Sequence, residues 1–157
     1  MTIREGNLHA PNARVAVVVS RFNELVTERL LAGALRGFNQ TGVPEGNVDV
    51  AWVPGAVELP VAAQAHAATG RYDAIVALGA VIRGSTDHYD HVCSMVASGI
   101  NRVALDHNLP VMFGVLTTDT LDQALERAGS KAGNKGTEAA HAAVEMINVL
   151  AAVRHDP

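Results

Sequence analysis

Residues 74–92, with the sequence AIVALGAVIRGSTDHYDHV, decide how the rest of the chain is interpreted. The run Ala74–Leu78 is apolar without alternation, which is typical of a strand buried on both faces of a parallel sheet. Gly79 begins a segment of small and hydroxyl residues, and from His88 onward apolar residues recur at helical spacing. The order of strand, loop and helix predicts an anion site, because the N–H groups at a helix N-terminus attract negative charge.

The side chains of this loop suit the handling of a phosphate group. Arg83 adds positive charge, Ser85 and Thr86 add hydrogen-bond donors, and His88 can exchange a proton near neutral pH. Loops of this composition also serve as plain connections, and the stretch matches neither the P-loop pattern nor the dinucleotide-binding pattern. The loop alone therefore leaves both an anion site and a simple connection open.

The composition indicates one globular domain rather than a membrane protein or a nucleic-acid-binding protein. The chain has 157 residues, of which 48% are hydrophobic and 18% charged, and its net charge is −4 at pH 7. It has no basic stripe, and no apolar run approaches the roughly 18 residues of a membrane span. Residues 1–12 lack the apolar centre of a signal peptide, so we expect a cytoplasmic protein.

Strand and helix patterns alternate along the chain and predict an α/β fold. We expect residues 1–157 to form a single three-layer domain, with a four-stranded parallel sheet flanked by helices on both faces and an extended N-terminal arm at 1–12. Asn23 is the predicted N-cap of the first helix, and Thr137 opens the last. The predicted strands are 14–19, 48–53, 74–78 and 111–116, and the predicted helices are 24–40, 60–68, 88–107, 121–128 and 137–153.

Ligands of parallel α/β sheets bind beyond the carboxyl ends of the strands. The segments that follow the predicted strands carry Phe22, Glu58, Arg83, Thr86 and His88. An aromatic ring, a carboxylate, an anion loop and a histidine at one edge of one sheet predict a binding site. Plainer roles stay open, because Phe22 could be a packing residue and Glu58 a charge that complements a helix N-terminus.

The sequence offers little for a disulfide or a metal site. Cys93 is the single cysteine and lies in a helical apolar pattern, which favours a small buried side chain over a nucleophile. His88 and His91 are three residues apart on one helical face, but no third ligand has a suitable spacing. We therefore expect no metal.

Four motifs in this order resemble the lumazine synthase family. They are GAVELP at 55–60, ALGAVIRGSTDHYDHV at 77–92, FGVLTTDTLDQALERAG at 113–129 and KAGNKG at 131–136. The resemblance implies flavodoxin-like topology and a transferase of riboflavin biosynthesis. That enzyme condenses 5-amino-6-(D-ribitylamino)uracil with 3,4-dihydroxy-2-butanone 4-phosphate to 6,7-dimethyl-8-ribityllumazine, releasing phosphate and water. The resemblance implies no metal and no organic cofactor.

The resemblance assigns roles to the residues that match the family's motifs. His88 matches the residue that transfers protons, and Phe22 matches the ring that stacks on the pyrimidine. Val57 departs from the family, which usually has an aromatic residue here, so the wall behind the ribityl chain is expected to differ in shape. Backbone groups of 80–82 are implied to read the pyrimidine edge. The residues implied to bind the ribitylaminouracil are Phe22, Ala56, Val57, Glu58, Ala80, Val81, Ile82 and Phe113.

The phosphate of the second substrate is implied to lie between groups of two subunits. Ser85 and Thr86 match the phosphate-binding segment, whereas Arg127 and Phe113 match positions that the neighbouring subunit contributes. Lys135 matches a lysine near the substrates. Without the resemblance, Arg127 equally fits a cation that complements the dipole near the end of a short helix.

The resemblance also implies a homo-oligomer with an active site shared between adjacent subunits. Family members form pentamers, and many bacterial members form a 60-subunit icosahedral capsid. The break at 131–136 resembles that of shell-forming members, and the arm at 3–12 could add an edge strand to a neighbour's sheet. Riboflavin synthase is the candidate protein partner, and neither nucleic acid nor a membrane is expected as a partner.

Two other classes of protein are alternatives to this interpretation. A receiver domain or a flavin carrier of flavodoxin-like topology is disfavoured, because Ser20 and Arg21 stand where a receiver has acidic residues and SRFNE is not a flavin phosphate loop. A non-catalytic member, either shell-forming or lumazine- or flavin-binding, stays open as the alternative. Intact His88, Thr86 and Arg127 argue against it.

Overall fold

The computed structural model describes residues 1–155 and has a parallel sheet at its centre. The strands are β1 (Val15–Ser20), β2 (Val48–Val53), β3 (Ala74–Ile82) and β4 (Val111–Thr118), in the order β2-β1-β3-β4. The helices are α1 (Glu24–Gln40), α2 (Leu59–Ala68), α3 (His88–His107), α4 (Leu121–Arg127) and α5 (Lys135–Arg154). The predicted α/β domain with its four-stranded parallel sheet is confirmed. Within residues 1–155, none of the helices has the length and apolar character needed to cross a membrane.

Helices cover both faces of the sheet and create two apolar cores. Val15, Val17 and Val19 of β1 face the core beneath α1 and α5, whereas Ala16 and Val18 face the core beneath α2 and α3. Successive strand residues point to opposite faces, so a strand with helices on both sides needs apolar residues throughout. This is the physical reason that the continuous apolar runs predicted the central strands correctly.

The strand β3 is longer than the sequence predicted, because it continues past Leu78 to Ile82. Gly79–Ile82 pair with Val115–Thr118 of β4, so the expected loop begins only at residue 83. Gly79 is therefore a strand residue rather than the start of the predicted loop, and it allows close packing. A Cβ atom there would lie 3.0 Å from Leu59 Cδ1 and 3.1 Å from Ser20 Oγ.

The helix α5 begins two residues earlier than Thr137, at Lys135. Asn134 caps it, because its Oδ1 atom accepts hydrogen bonds from the N–H groups of Gly136 at 2.8 Å and Thr137 at 3.2 Å. Gly136 is therefore helical rather than part of the preceding break. A Cβ atom on Gly136 would overlap the carbonyl oxygen of Leu30, so this glycine lets α5 pack closely against α1.

The N-terminal arm follows α5 of its own chain. Asn148 Nδ2 donates hydrogen bonds to the carbonyl oxygens of Asn7 at 2.7 Å and His9 at 3.2 Å. Gly6 lies so close to the Glu145 carbonyl group that a Cβ atom would not fit. The idea that the arm pairs with a neighbour's sheet stays a prediction.

Candidate active site

A cavity of about 280 Å³, here called the first cavity, lies beyond the carboxyl ends of β1 and β3. Ser85 belongs to the loop at its margin, whereas Phe113 and Arg127 lie on the other side of β3, on β4 and α4. The sheet therefore brings most of the predicted site together and leaves two predicted residues apart from it. The predicted residues that line the first cavity are Phe22, Ala56, Val57, Glu58, Ala80, Val81, Ile82, Thr86 and His88.

Phe22 stands at the rim of the first cavity and is 73% exposed. The backbone N–H group of Phe22 donates to the Pro54 carbonyl oxygen at 3.0 Å, and the backbone N–H group of Arg21 donates to the Val53 carbonyl oxygen at 2.8 Å. The loop after β1 is therefore held alongside β2 by its backbone, which leaves the ring of Phe22 free of the core. An exposed aromatic ring on a loop held by its backbone is suited to stacking on a flat ligand.

The sequence predicts that Asn23 caps α1, but in the structure its side chain makes no capping hydrogen bond. Its backbone is left-handed, with φ at 63°, a conformation that asparagine tolerates better than most residues. In this conformation its Nδ2 atom donates a hydrogen bond to the Ala80 carbonyl oxygen at 2.8 Å. Asn23 thus ties the loop of Phe22 to β3, and it lines the first cavity as a residue that sequence reasoning missed.

The last residues of β3 are paired on one side only. Pairing with β1 ends at Leu78, whereas pairing with β4 continues to Ile82. Backbone groups of 80–82 on the β1 side therefore face the first cavity, and of these Asn23 uses the Ala80 carbonyl. A strand edge of this kind can donate and accept hydrogen bonds with the edge of a heterocycle.

A 3-10 turn, Ala56–Glu58, forms another wall of the first cavity. Ala56 is buried, Glu58 is half-buried and Val57 is 39% exposed. The carboxylate of Glu58 lies back over Gly55, where a Cβ atom would be 3.1 Å from Glu58 Oε2. This wall offers hydrogen-bond acceptors for hydroxyl groups beside a small apolar side chain.

The loop 83–87 leads from β3 into the amino end of α3 and is exposed. His88 N–H donates to Thr86 Oγ1 at 3.4 Å, and Asp87, at the N-cap position, makes no capping hydrogen bond with its side chain. Amides in the first turn of a helix lack carbonyl partners within that helix, and the helix dipole is positive there. The loop and the first turn of α3 can therefore hold an anion next to Thr86.

His88 is the first residue of α3, and it is exposed and lines the first cavity. Its neighbour Tyr89 also lines the cavity, and burial raises the pKa of the Tyr89 phenol above its usual value of 10.0. The Tyr89 phenol therefore keeps its proton at physiological pH, and imidazole is the side-chain group that enzymes use most often as a general acid or base. Within residues 1–155, no three His, Cys, Asp or Glu side chains are close enough together to hold a metal ion.

The side chain of Arg83 is engaged by carboxylates rather than free in the anion loop. Its Nε atom donates to Asp119 Oδ1 at 2.9 Å, and its Nη1 atom lies 3.7 Å from Asp90 Oδ1. The hydrogen bond with Asp119 raises the pKa of Arg83 above its usual value. Arg83 is predicted to add positive charge to the loop, and in the structure that charge is paired with Asp119 and Asp90.

A second cavity of about 320 Å³ lies along the carboxyl-terminal half of β4. It is lined by Arg127, Lys135 and Glu138, and Lys135 Nζ lies 3.7 Å from Glu138 Oε2. Arg127 is exposed, and its Nη1 atom donates to the Gln123 carbonyl oxygen at 3.2 Å. Phe113, also on β4, is 38% exposed. Arg127 and Lys135 therefore face a space separate from that of His88.

A capping box places Arg127 at the end of α4. Thr120 Oγ1 accepts a hydrogen bond from Gln123 N–H at 3.1 Å, and Gln123 Oε1 accepts one from Thr120 N–H at 3.3 Å. These two hydrogen bonds cap the amino end of α4, which begins at Leu121 and ends at Arg127. The predicted start of this helix at residue 121 is confirmed, and the Thr-x-x-Gln spacing that is visible in the sequence gives its physical reason.

The chain matches the model of one protein family, described as 6,7-dimethyl-8-ribityllumazine synthase, over residues 12–151. The matched range contains all four strands, α1 to α4 and most of α5, so every residue that lines the first and second cavities falls within it. A match over this much of a 157-residue chain establishes the relationship for the whole domain. The chain belongs to the 6,7-dimethyl-8-ribityllumazine synthase family.

Proposed function

We propose that the protein condenses 5-amino-6-(D-ribitylamino)uracil with 3,4-dihydroxy-2-butanone 4-phosphate to 6,7-dimethyl-8-ribityllumazine, phosphate and water, in riboflavin biosynthesis. The observation that carries this proposal is the composition of the first cavity. An exposed aromatic ring, an open strand edge, a carboxylate, the amino end of a long helix and a histidine line one space of about 280 Å³. Family membership supports the same reaction.

The ribitylaminouracil lies between Phe22 and the end of β3. Its flat ring stacks on Phe22, which removes apolar surface from water on both sides of the contact. The open backbone of 80–82 pairs with the polar edge of the pyrimidine. The ribityl chain follows Ala56–Glu58, where Glu58 accepts hydrogen bonds from the hydroxyl groups. Val57 leaves more room along this wall than an aromatic residue would.

The butanone phosphate lies with its phosphate group at the amino end of α3. Ser85, Thr86 and the first-turn amides donate hydrogen bonds to the phosphate, and Arg127 of an adjacent copy adds a charge-assisted pair. These groups stabilise the phosphate both while it is bound and as it departs. The anion site is thus shared between a helix terminus of one copy and a cation of the next.

The reaction needs little beyond alignment and proton transfer. The amine attacks the ketone, water leaves as an imine forms, phosphate is eliminated, and ring closure releases a second water. Each step moves a proton, and His88 can accept and return it near neutral pH. Because the amine is already nucleophilic, we expect most of the rate gain to come from holding the two substrates side by side.

The proposed site includes a second copy of the chain, because Arg127 and His88 line separate cavities of one chain and a neighbour's Arg127 would have to complete the site. The strand β4 is at the edge of the sheet, and Phe113 on it is partly exposed, which supports a contact with another copy there. We propose a pentamer with one site between each pair of neighbours, assembled further into a 60-subunit shell. Sedimentation velocity in plain buffer tests this, and a monomer would contradict the shared site.

The reaction itself is tested by mixing the purified protein with both substrates and following inorganic phosphate and the absorbance of the lumazine. We expect the two products to appear in equal amounts, and neither to appear with one substrate alone. Binding of both substrates without phosphate release would instead favour the non-catalytic alternative.

A further inference from the structure

The side chain of Arg83 bridges the elements that surround the anion loop. The backbone N–H group of Arg83 extends the β3–β4 pairing by donating to the Thr118 carbonyl oxygen at 2.9 Å. Its guanidinium pairs with Asp119 after β4 and with Asp90 in the first turn of α3. The same group lies over the ring of Tyr89, 4.2 Å from the ring centroid. One side chain therefore connects β3, β4 and α3.

The loop that follows Arg83 has few other supports. A Cβ atom on Gly84 would meet no other atom within 4 Å, and Ser85 and Thr86 are exposed. Asp87 makes no capping bond with its side chain, and the hydrogen bond from His88 N–H to Thr86 Oγ1 is long, at 3.4 Å. The position of the loop thus depends on its two ends, and the guanidinium of Arg83 holds both of them.

We propose that Arg83 is a positioning residue for phosphate binding: it keeps the loop 84–87 and the first turn of α3 in the conformation that receives the anion, through its pairs with Asp119 and Asp90. The inference rests on the proposed function. Arginine suits this role because its planar fork can hold two carboxylates and stack on an aromatic ring at once, which the single ammonium group of lysine cannot do.

A direct electrostatic role and a positioning role predict opposite results when Asp119 is neutralised. If only charge mattered, removing a carboxylate near the site would strengthen the binding of an anion. If Asp119 holds Arg83, and Arg83 holds the loop, the same change weakens it. Asp122, in the first turn of α4, provides the matched control, because its neutralisation removes the same charge from the same helix region.

The experiment compares Asp119→Asn, Asp122→Asn, Arg83→Lys and Arg83→Ala with the wild-type protein. Two quantities are measured for each: the KM for each substrate, and the dissociation constant of inorganic phosphate by calorimetry. For Asp119→Asn and Arg83→Ala we expect about a fivefold rise in the phosphate dissociation constant and in the KM for butanone phosphate. We expect the KM for the ribitylaminouracil to change less than twofold, and Arg83→Lys to recover only part of the loss.

Tighter or unchanged phosphate binding by Asp119→Asn would overturn the inference, as would full recovery with Arg83→Lys or an equal loss with Asp122→Asn. Absence of phosphate binding by the wild-type protein would also overturn it. Failure of the proposed function is a separate result, because it appears as missing product with the wild-type protein. Asp119→Asn keeps the inference testable if the Arg83 variants fail to fold.

Discussion

The two ends of the parallel sheet use their polar side chains in opposite ways. At the amino ends of the strands, Tyr72 donates a hydrogen bond to Asp49 at 2.6 Å, and Arg14 lies 3.3 Å from the same carboxylate. At the carboxyl ends, Thr86 and His88 are exposed and line the first cavity. One end pairs its polar groups with one another, whereas the other, apart from the pairs of Arg83 with Asp119 and Asp90, leaves donors and acceptors open.

This difference teaches where the chain stabilises its fold and where it is available to ligands. Groups that already pair with one another gain little from a ligand, whereas open groups at a helix terminus and a strand edge gain the full interaction. We therefore expect substitutions at the carboxyl end to change activity with little effect on unfolding, and substitutions at the amino end to do the reverse.

Arg127→Ala is expected to give the largest effect and tests the carboxyl end most severely. Loss of a charge-assisted pair with phosphate predicts a fall of roughly 100-fold in kcat/KM for butanone phosphate. Thermal unfolding should hardly change, because Arg127 is exposed. Steady-state kinetics measure the effect, and Arg102→Ala, which removes an exposed pair with Asp106 on α3, is the control. Unchanged kinetics in the Arg127 variant would end the idea of a shared phosphate site.

His88→Ala is expected to give the next largest effect, on turnover rather than binding. We expect kcat to fall about tenfold, less than the 10²- to 10⁴-fold typical of acid–base groups, because alignment carries most of the rate gain. The KM values should stay within about twofold of wild type, since general acid–base groups act mainly on kcat. Complete loss of turnover with normal substrate binding would contradict the alignment argument.

The fold could be predicted from the sequence because burial on both faces leaves a direct signature. The continuous apolar runs of β1 and β3 and the helical spacing after His88 depend on local periodicity alone. The rule that ligands bind at the carboxyl ends of such strands then predicts that Phe22, Glu58 and His88 lie at one site. These inferences succeed because each rests on neighbours in sequence or on topology.

Other features depend on side-chain direction, which periodicity does not encode. Asn23 has the sequence pattern of a side-chain helix cap, but its left-handed backbone turns the side chain to Ala80. Arg83 is predicted to add positive charge to the anion loop, but its guanidinium donates a hydrogen bond to Asp119, 36 positions away. Gly79 has the sequence pattern of a loop residue, although it lies in a strand where the close approach of Leu59 leaves no room for a side chain. Each depends on a contact between distant segments that a single sequence does not reveal.

Tyr72→Phe tests the amino end and should affect stability without affecting turnover. Tyr72 is 8% exposed, so losing its hydrogen bond to Asp49 should lower the free energy of unfolding by about 1 kcal/mol. Urea unfolding at matched protein concentration measures the change, because an oligomer's stability depends on concentration. A loss of kcat as large as that of His88→Ala would contradict the idea that the amino end contributes to stability and the carboxyl end to activity.

The smallest expected effect is a pH dependence of stability that arises from Asp49. The hydrogen bond from Tyr72 holds the pKa of Asp49 below its usual value of 3.8, so the folded state releases this proton more readily than the unfolded state. The pair therefore adds stability above pH 3.8, and that stability disappears as the pH falls through the lowered pKa.

Asp49→Asn should have a lower urea midpoint than wild type at neutral pH, and the difference should close in more acid solution. Because the side chain of Asp49 is 41% exposed, solvent screens the pair and the difference should be small. A difference that stayed constant below pH 3.8 would show that the carboxylate's charge does not carry the stabilisation, and the amino end would then owe its stability to apolar packing around Tyr72.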